Sequence, residues 1–129
     1  MAKVKKNKKT KVLKIVEKAR VYIKSSFNNT LISATDDQGN AFAWSSTGLA
    51  GFKGSKKSTP YAATQAAKLV IEKMQAANVA EISIYVSGVS SGRDAAVRAF
   101  GQGGFRIDQI KDTTPIPHNG CRAKKPRRV

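Results

Sequence analysis

The stretch RVYIKSSFNNTLISATDDQGNAFAWS (residues 20–45) indicates the fold class, because apolar and polar residues alternate in three short segments of it. Each segment is predicted to be a half-buried strand, and the three lie at 20–27, 30–35 and 41–45. The intervening Asn28-Asn29 and DDQGN sequences suit tight turns, since Asn tolerates left-handed backbone angles and Gly adopts them freely. Three strands joined by short turns form an antiparallel meander.

Apolar side chains on one side of these strands are the predicted core. In the first strand the inward residues are expected to be Val21, Ile23 and Phe27. In the third strand Phe42 and Trp44 share a face. We expect all three aromatic residues to be buried rather than to serve as stacking platforms for bases.

A helix is predicted to follow the meander. Ser58 or Thr59 suits its cap position, Pro60 suits its first position, and the pattern continues to about Ala77. Apolar residues recur along it at helical spacing, at Ala63, Ala67, Val70 and Met74. This inner face is small, so the helix can lie close to a sheet.

The rest of the chain predicts two more strands and a second helix. The strands fall at 81–88 and 105–112, and the short helix lies between them, within 90–104. Ser91 and Asp94 have the spacing of a capping box at the start of that helix. The resulting order, βββαβαβ, predicts an α/β fold in which helices pack on a mixed five-stranded sheet.

Positive charge is concentrated at both ends of the chain. The formal net charge is +16, and residues 1–16 and 114–129 contain seven and five basic residues, respectively, and no acid. Such segments repel themselves, so we predict a basic disordered N-terminal arm (1–16), a globular domain (17–113) and a basic extended C-terminal tail (114–129). Nucleic acid is the commonest partner of this pattern, although a solubility tail or a nuclear localisation signal has similar composition.

The sequence favours a cytoplasmic protein without a membrane segment. No apolar run approaches about 18 residues, and no apolar stretch follows the basic N-terminus as a signal peptide requires. The single cysteine, Cys121, forms no internal disulfide, which agrees with a reducing compartment.

The stretch GLAGFKGSKKSTPYAA (48–63) places glycines and lysines directly before a helix. A nucleotide P-loop needs Gly-Lys-Ser/Thr in a fixed frame, and that frame is wrong here, which argues against nucleotide hydrolysis. The chemistry for holding a polymer phosphate is intact, because Lys53, Lys56 and Lys57 supply charge and the helix supplies free N–H groups.

A second glycine-rich segment, GVSSGRD (88–94), precedes the other helix. Arg93 lies in the first turn of that helix, where the helix dipole disfavours a cation. An anion bound there would explain the placement; otherwise Arg93 points into water. We expect both loops to open on the same edge of the sheet and to form a continuous basic surface.

Residues that could catalyse a reaction are few. His118 and Cys121 form a His-x-x-Cys pair in a basic tail, and the sequence has no other Cys or His to complete a zinc site. Asp36 and Asp37 lie in a turn, and no clustered carboxylates suggest two-metal nuclease chemistry. We therefore predict no enzyme activity, no cofactor, no metal and no small-molecule substrate.

Several motifs resemble the bacterial form of the universal small-ribosomal-subunit protein S-eleven family: SFNNT (26–30), GFKGSKKSTPYAA (51–63), GFRI (104–107), DTTPIPHNGCR (112–122) and KKPRRV (124–129). The resemblance covers residues 17–129 and implies a ribonuclease-H-like fold without the catalytic acids. It implies a structural RNA-binding protein of the small ribosomal subunit platform, which bridges separate helices of 16S-type ribosomal RNA. In translation the family helps form the Shine-Dalgarno cleft and the exit region for messenger RNA.

The resemblance also implies neighbours and contact residues. The implied protein neighbours are the seventh and eighteenth small-subunit proteins, with initiation factor three nearby. Together with the basic loops, it gives the predicted RNA-binding residues as Lys53, Lys56, Lys57, Arg93, Arg106, His118, Asn119, Arg122, Lys124, Lys125, Arg127 and Arg128.

Two features of the resembling motifs affect these expectations. The family usually has Gly-Pro-Gly-Pro-Gly-Arg where this chain has SGVSSGR (87–93), so we expect a more mobile loop in the free protein. The family carries isoaspartate at the Asn of its HNG motif. Asn119-Gly120 is prone to succinimide formation because Gly leaves the backbone nitrogen unhindered, so Asn119 is a candidate for this conversion.

Two other classes of protein fit part of the pattern. A phosphate-ester enzyme would show magnesium-dependent turnover, and the sequence lacks the acids for it. A DNA- or RNA-compacting architectural protein outside the ribosome would bind DNA and folded ribosomal RNA with equal affinity.

Overall fold

A computed structural model describes residues 15–128 as a five-stranded sheet with two α-helices. The strands are β1 (Lys18–Ser25), β2 (Thr30–Thr35), β3 (Ala41–Ser46), β4 (Glu81–Ser87) and β5 (Arg106–Asp112). The helices are α1 (Pro60–Ala76) and α2 (Gly92–Gly101), with a short 3-10 helix at Gly54–Ser58. The predicted α/β class and the order βββαβαβ are confirmed. Predictions for residues 1–14 and 129 lie outside the described residues.

The sheet is mixed, with the strand order β3-β2-β1-β4-β5. The pairs β1–β2 and β2–β3 are antiparallel, whereas β1–β4 and β4–β5 are parallel. Four strands therefore run in one direction and end at Ser25, Ser46, Ser87 and Asp112. We call this the carboxyl end of the sheet.

One face of the sheet forms the core with the two helices. Every second residue of β1 and β4 is buried there, as in Val21, Ile23, Ile82, Ile84 and Val86. The predicted inner residues of α1, Ala63, Ala67, Val70 and Met74, are also buried. Their small volume lets the helix lie close to the sheet, and Phe100 of α2 fills the space beside it. Within the described residues, no helix has the length and hydropathy that a membrane span requires.

The prediction that Phe27 and Trp44 are buried is wrong. Phe27 is 80% exposed because β1 ends at Ser25, and the alternation does not continue into the turn. In β3, Ala43 and Ser45 face the helices, so Trp44 lies on the opposite face and is 59% exposed.

The predicted core position of Phe42 is half right. Phe42 lies where the pairing of β2 with β3 shifts register, between Ala34 and Thr35. This irregularity lets its side chain lie half-buried against the core. Phe42 and Trp44 therefore do not form the common inward face that the alternation predicted.

The turn at Asn28-Asn29 is confirmed, but it closes without left-handed angles. In the described chain, the non-glycine residues with positive φ are Asn78 and Asn119. Asn29 acts through its side chain instead, since its Oδ1 accepts hydrogen bonds from the Thr30 N–H (2.8 Å) and the Thr47 hydroxyl. The turn thus ties β2 to the segment that follows β3.

The helix starts agree with prediction in one case only. Thr59 caps α1, and its Oγ1 accepts a hydrogen bond from the Ala62 N–H at 3.3 Å. Ser91 precedes α2 but makes no capping bond, because its backbone is already helical. The predicted capping box is therefore wrong.

Replacing Gly88 by Ala is predicted to destabilise the fold strongly. Gly88 has φ +91°, and a Cβ there would lie 1.9 Å from the Ser25 carbonyl oxygen. Gly39 is a matched control. Its φ is +88°, but a Cβ added at Gly39 would have no atom within 4 Å. In urea unfolding, Gly39→Ala should cost about 1–2 kcal/mol from backbone strain, and Gly88→Ala at least about 2 kcal/mol more. Equal costs would contradict the close packing of Gly88 on β1.

Candidate nucleic-acid interface

Three segments, two of them basic, leave the sheet at its carboxyl end. The lysine loop (residues 47–59) follows β3, the glycine loop (88–91) follows β4, and the tail (113–128) follows β5. These three strands run in the same direction, so the segments begin at the same end of the sheet. The fold thus brings together regions that are far apart in the sequence.

The lysine loop is fixed at its start by buried hydrogen bonds. Thr47 is fully buried, its N–H donates to the Thr30 carbonyl (3.2 Å), and its hydroxyl donates to the Asn29 side chain. Its own carbonyl accepts from the Phe52 N–H at 3.2 Å. The loop ends at Thr59, the cap of α1.

The three lysines of this loop lie on its surface. Lys53 and Lys56 are exposed and Lys57 is half-buried. A Cβ at Gly48 would lie 3.8 Å from the Lys57 Cδ atom, so the apolar stem of Lys57 passes over Gly48 while its charge reaches solvent. The first turn of α1 has no acidic residue, so the positive end of the helix dipole adds to the lysine charges.

The lysine loop and the glycine loop are in direct contact. The Ser91 hydroxyl donates a hydrogen bond to the Ser58 carbonyl at 3.2 Å. At Gly92, a Cβ would lie 3.1 Å from Ala63 Cβ and 2.7 Å from Thr30 Oγ1, so α1 and α2 start close together. Both loops therefore open at the carboxyl end of the sheet, and the expectation that they lie together is met.

Arg93 makes its contacts within the protein. Its Nη1 donates to the Gly88 carbonyl at 3.0 Å, and its Nη2 pairs with Asp112 Oδ2 at 2.7 Å. The anion that the sequence argument placed beside Arg93 is thus supplied by the chain itself. Contact between Arg93 and RNA stays a prediction.

The start of the tail is held by a cluster that we call the tail latch, formed by Gly88, Arg93, Asp112 and Thr114. Asp112 Oδ1 accepts from the Thr114 hydroxyl (2.6 Å) and N–H (2.9 Å), and the Gly88 N–H donates to Thr114 Oγ1 (3.2 Å). The bonds from Thr114, and then the bond from Arg93, hold the pKa of Asp112 well below its usual range.

Beyond the latch the tail is exposed from Pro115 to Arg128. This part holds seven of the predicted RNA-binding residues: His118, Asn119, Arg122, Lys124, Lys125, Arg127 and Arg128. Asn119 has a left-handed backbone with φ +59°, and Cys121 is a free exposed thiol.

Arg106 is separated from the other predicted residues. It opens β5, and its N–H donates to the Ala80 carbonyl at the opposite end of the sheet from the loops. A strand of this length puts it about 20 Å from the carboxyl end. The structure therefore groups eleven of the twelve predicted residues at or beyond one end and leaves Arg106 at the other.

The residues that position these segments were not among the predicted site residues. Asn29, Asp112 and Thr114 act through side-chain bonds to backbone groups. The Asp-Thr-Thr sequence at the end of β5 was the available signal, since Asp commonly bonds the backbone two residues on. Across residues 15–128, no group of His, Cys, Asp or Glu could hold a metal ion.

Comparison with known proteins identifies the class. The profile of the family described as ribosomal protein S11 matches residues 19–128. The small ribosomal subunit protein uS11 of Nautilia profundicola is 51% identical over 130 aligned residues, which cover 100% of both chains. The proteins of the same name from Desulfovibrio desulfuricans and Treponema pallidum are 50% and 48% identical, over 100% and 95% of this chain and 100% and 97% of their own lengths.

These matches define a structural ribosomal protein rather than an enzyme. The chain belongs to the ribosomal protein S11 family, as its motifs indicated. Its location is therefore ribosomal.

Replacing Asp112 by Ala is predicted to release the tail without unfolding the domain. Hydrogen exchange at Thr113 and Thr114 should become several-fold faster, because Arg93 and Thr114 lose their shared acceptor. Asp108→Ala is the matched control, as an exposed acid on the same strand. The same exchange rates in both variants would contradict the latch.

Lowering the pH is predicted to open the same latch. Because the pKa of Asp112 is lowered in the folded protein, the latch is complete above about pH 3.9, the ordinary value for Asp. It should weaken as the pH falls below that value, and the tail amides should then exchange faster relative to their intrinsic rates. Exchange protection that is unchanged at low pH, while the core stays folded, would contradict it.

Proposed function

We propose that this chain binds and bridges separate helices of small-subunit ribosomal RNA through the carboxyl end of its sheet. The observation that carries the proposal is the convergence of the lysine loop, the glycine loop and the tail at that end. The relatives are named as proteins of the small ribosomal subunit, which supports the same placement for this chain.

The proposed contacts are with phosphates rather than with base edges. Lys and Arg neutralise phosphates and release counterions, which favours binding to any closely spaced backbone. Ribosomal RNA helices have the A form, whose deep major groove side chains cannot read, so shape and backbone dominate recognition. The lysine loop and the tail supply these charges.

Bridging follows from the different reach of the segments. The lysine loop is held to the sheet by the hydrogen bond from Thr47 to Thr30, and the glycine loop is held to the lysine loop by the bond from Ser91 to Ser58. Residues 115–128 could span about 45 Å when extended, and Pro115, Pro117 and Pro126 favour extended backbone. One RNA helix can therefore bind at the loops while the tail reaches another.

The finer placement is also a proposal, supported by the motif resemblance. It puts the chain in the cytoplasm, on the platform beside the seventh and eighteenth small-subunit proteins. There it lines the Shine-Dalgarno cleft and the exit region for messenger RNA, with initiation factor three nearby. The predicted domain boundaries, at residues 16–17 and 113–114, belong to this proposal, since the tail and not the domain would thread between RNA helices.

Charge substitutions at the carboxyl end are predicted to weaken RNA binding in a salt-dependent way. The slope of log K against log salt is negative, and the double variants Lys56→Gln/Lys57→Gln and Arg127→Gln/Arg128→Gln should each make it shallower by about 2. Titration of a folded small-subunit ribosomal RNA at several salt concentrations measures this. Lys68→Gln, an exposed charge on the middle of α1, is the control.

Arg106→Gln gives a sharper form of the same test. Because Arg106 lies at the far end of the sheet, its loss should leave the slope nearly unchanged, whereas the loss of one phosphate contact would change it by about 1. If Arg106→Gln or Lys68→Gln weakens binding as much as a double variant does, the contact surface is elsewhere. Equal affinity of the unaltered chain for duplex DNA would favour a general architectural protein instead.

We further propose that Asn119 is partly converted to isoaspartate. The support is the Asn-Gly sequence, the exposure of Asn119 and its left-handed backbone, together with the family resemblance. Peptide mapping of protein from ribosomes should find a fraction of isoaspartate at position 119, and Gly120→Ala should reduce it. Only unmodified Asn119 in such a map would remove this proposal.

A further inference from the structure

The sheet face opposite the helices carries exposed aromatic side chains that the proposed RNA contacts do not use. We call it the open face. Trp44 of β3 is 59% exposed and Tyr22 of β1 is 39% exposed. Exposed apolar side chains that lie together on one face, rather than singly, commonly mark a binding surface.

The aromatic residues form a row across all five strands. The strand pairing aligns Trp44 (β3) with Ser33 (β2), Ser33 with Tyr22 (β1), Tyr22 with Tyr85 (β4), and Tyr85 with Lys111 (β5). Aligned residues of neighbouring strands point to the same face of a sheet. The row therefore has a ring at each of three strands, a small residue between two of them, and a cation at one end.

The strand spacing leaves room for a planar base between Tyr22 and Trp44, and we call this space the slot. Tyr22 and Tyr85 stack at 5.2 Å between ring centroids, with an interplanar angle of 16°, and Tyr85 OH accepts a hydrogen bond from Gln109. On the other side of Tyr22, the small Ser33 separates it from Trp44 by two strand spacings, about 9.5 Å. A planar base between two rings needs roughly 4.5 Å or more on each side.

Positive charges flank the slot and fit a polyanion. Arg20 and Lys24 lie two residues before and after Tyr22 on β1, so they share its face on either side of the row. Lys73 Nζ lies 5.9 Å from the centre of the Trp44 ring and donates to the Trp44 carbonyl. Glu81, at the start of β4, and Asp37, which interacts with Arg20, supply opposing charges near this face.

We propose that the open face is a second RNA surface, on which unpaired bases stack on Trp44 and Tyr22 while Arg20 and Lys24 hold the adjoining phosphates. This inference rests on RNA being the partner of the chain. Stacking tolerates any base, because every base has a π-face. The open face would thus hold a single-stranded segment, whereas the loops and the tail hold the backbones of helices.

Trp44 provides a direct probe, since it is the only tryptophan of the chain. A single-stranded RNA of about ten nucleotides should quench its fluorescence if bases stack on the ring. Inorganic polyphosphate of similar charge has no bases and should bind without comparable quenching. The measurement uses the full chain at moderate salt.

Variants separate stacking from charge. Trp44→Ala should weaken binding of the short RNA by about 5- to 100-fold, and Trp44→Phe should restore most of it. Lys24→Gln should weaken binding and reduce its salt dependence, whereas Lys68→Gln on the helix side is the matched control. Trp44 is exposed, so these variants should fold, and circular dichroism checks this.

The outcomes distinguish this inference from the proposed function. Binding of folded ribosomal RNA without quenching of Trp44, or with Trp44→Ala as tight as the unaltered chain for the short RNA, would overturn the open-face inference alone. No binding of either RNA would overturn both. Trp44 fluorescence could stay unchanged when RNA is added, while Trp44 loses access to solvent when the chain joins the subunit. That result would indicate a protein partner for this face and would also overturn the inference.

Discussion

The common direction of β1, β3, β4 and β5 is the constraint on which the proposed interface depends. Parallel pairing of β1 with β4 and of β4 with β5 forces the chain to cross back to the start of the sheet each time. The helices α1 and α2 make these crossings, so both begin at the carboxyl end, where their positive dipole ends add to the basic residues of the loops. Close packing of Gly88 on Ser25 and of Gly92 on Ala63 keeps the two starts together.

A protein with net charge +16 must limit repulsion among its own cations while it is free. The tail latch limits this repulsion for one cation, because Asp112 compensates the charge of Arg93. Asp112 also orients the first residues of the tail. The remaining basic residues of the tail are left for a polyanion. The chain thus separates two tasks: hydrogen bonds among polar side chains fix where each segment starts, and unpaired positive charge determines what it binds.

The sequence predicted the elements well, because alternation and cap residues are local signals. All five strands and both helices were expected, and Thr59 with Pro60 marked the start of α1. The predicted side-chain directions in β3 were wrong. They depend on how β3 pairs with β2, including the shift at Ala34/Thr35 and the pairing of Ala43 with Ala34, and alternation along one strand does not show this. For the same reason the exposed aromatic residues of the open face were not predicted. The ion pair of Arg93 was not predicted either, because its partner lies 19 residues away along the chain. The site was thus predictable as a set of charges, and its arrangement was not.

The most direct test is a map of protein–RNA crosslinks in isolated small ribosomal subunits. Ultraviolet crosslinking and peptide sequencing report which residues touch RNA without any substitution. We predict crosslinked peptides from residues 53–57 and 113–128, at the carboxyl end of the sheet. Crosslinks confined to the opposite end, at residues 36–40 and 77–80, would contradict it.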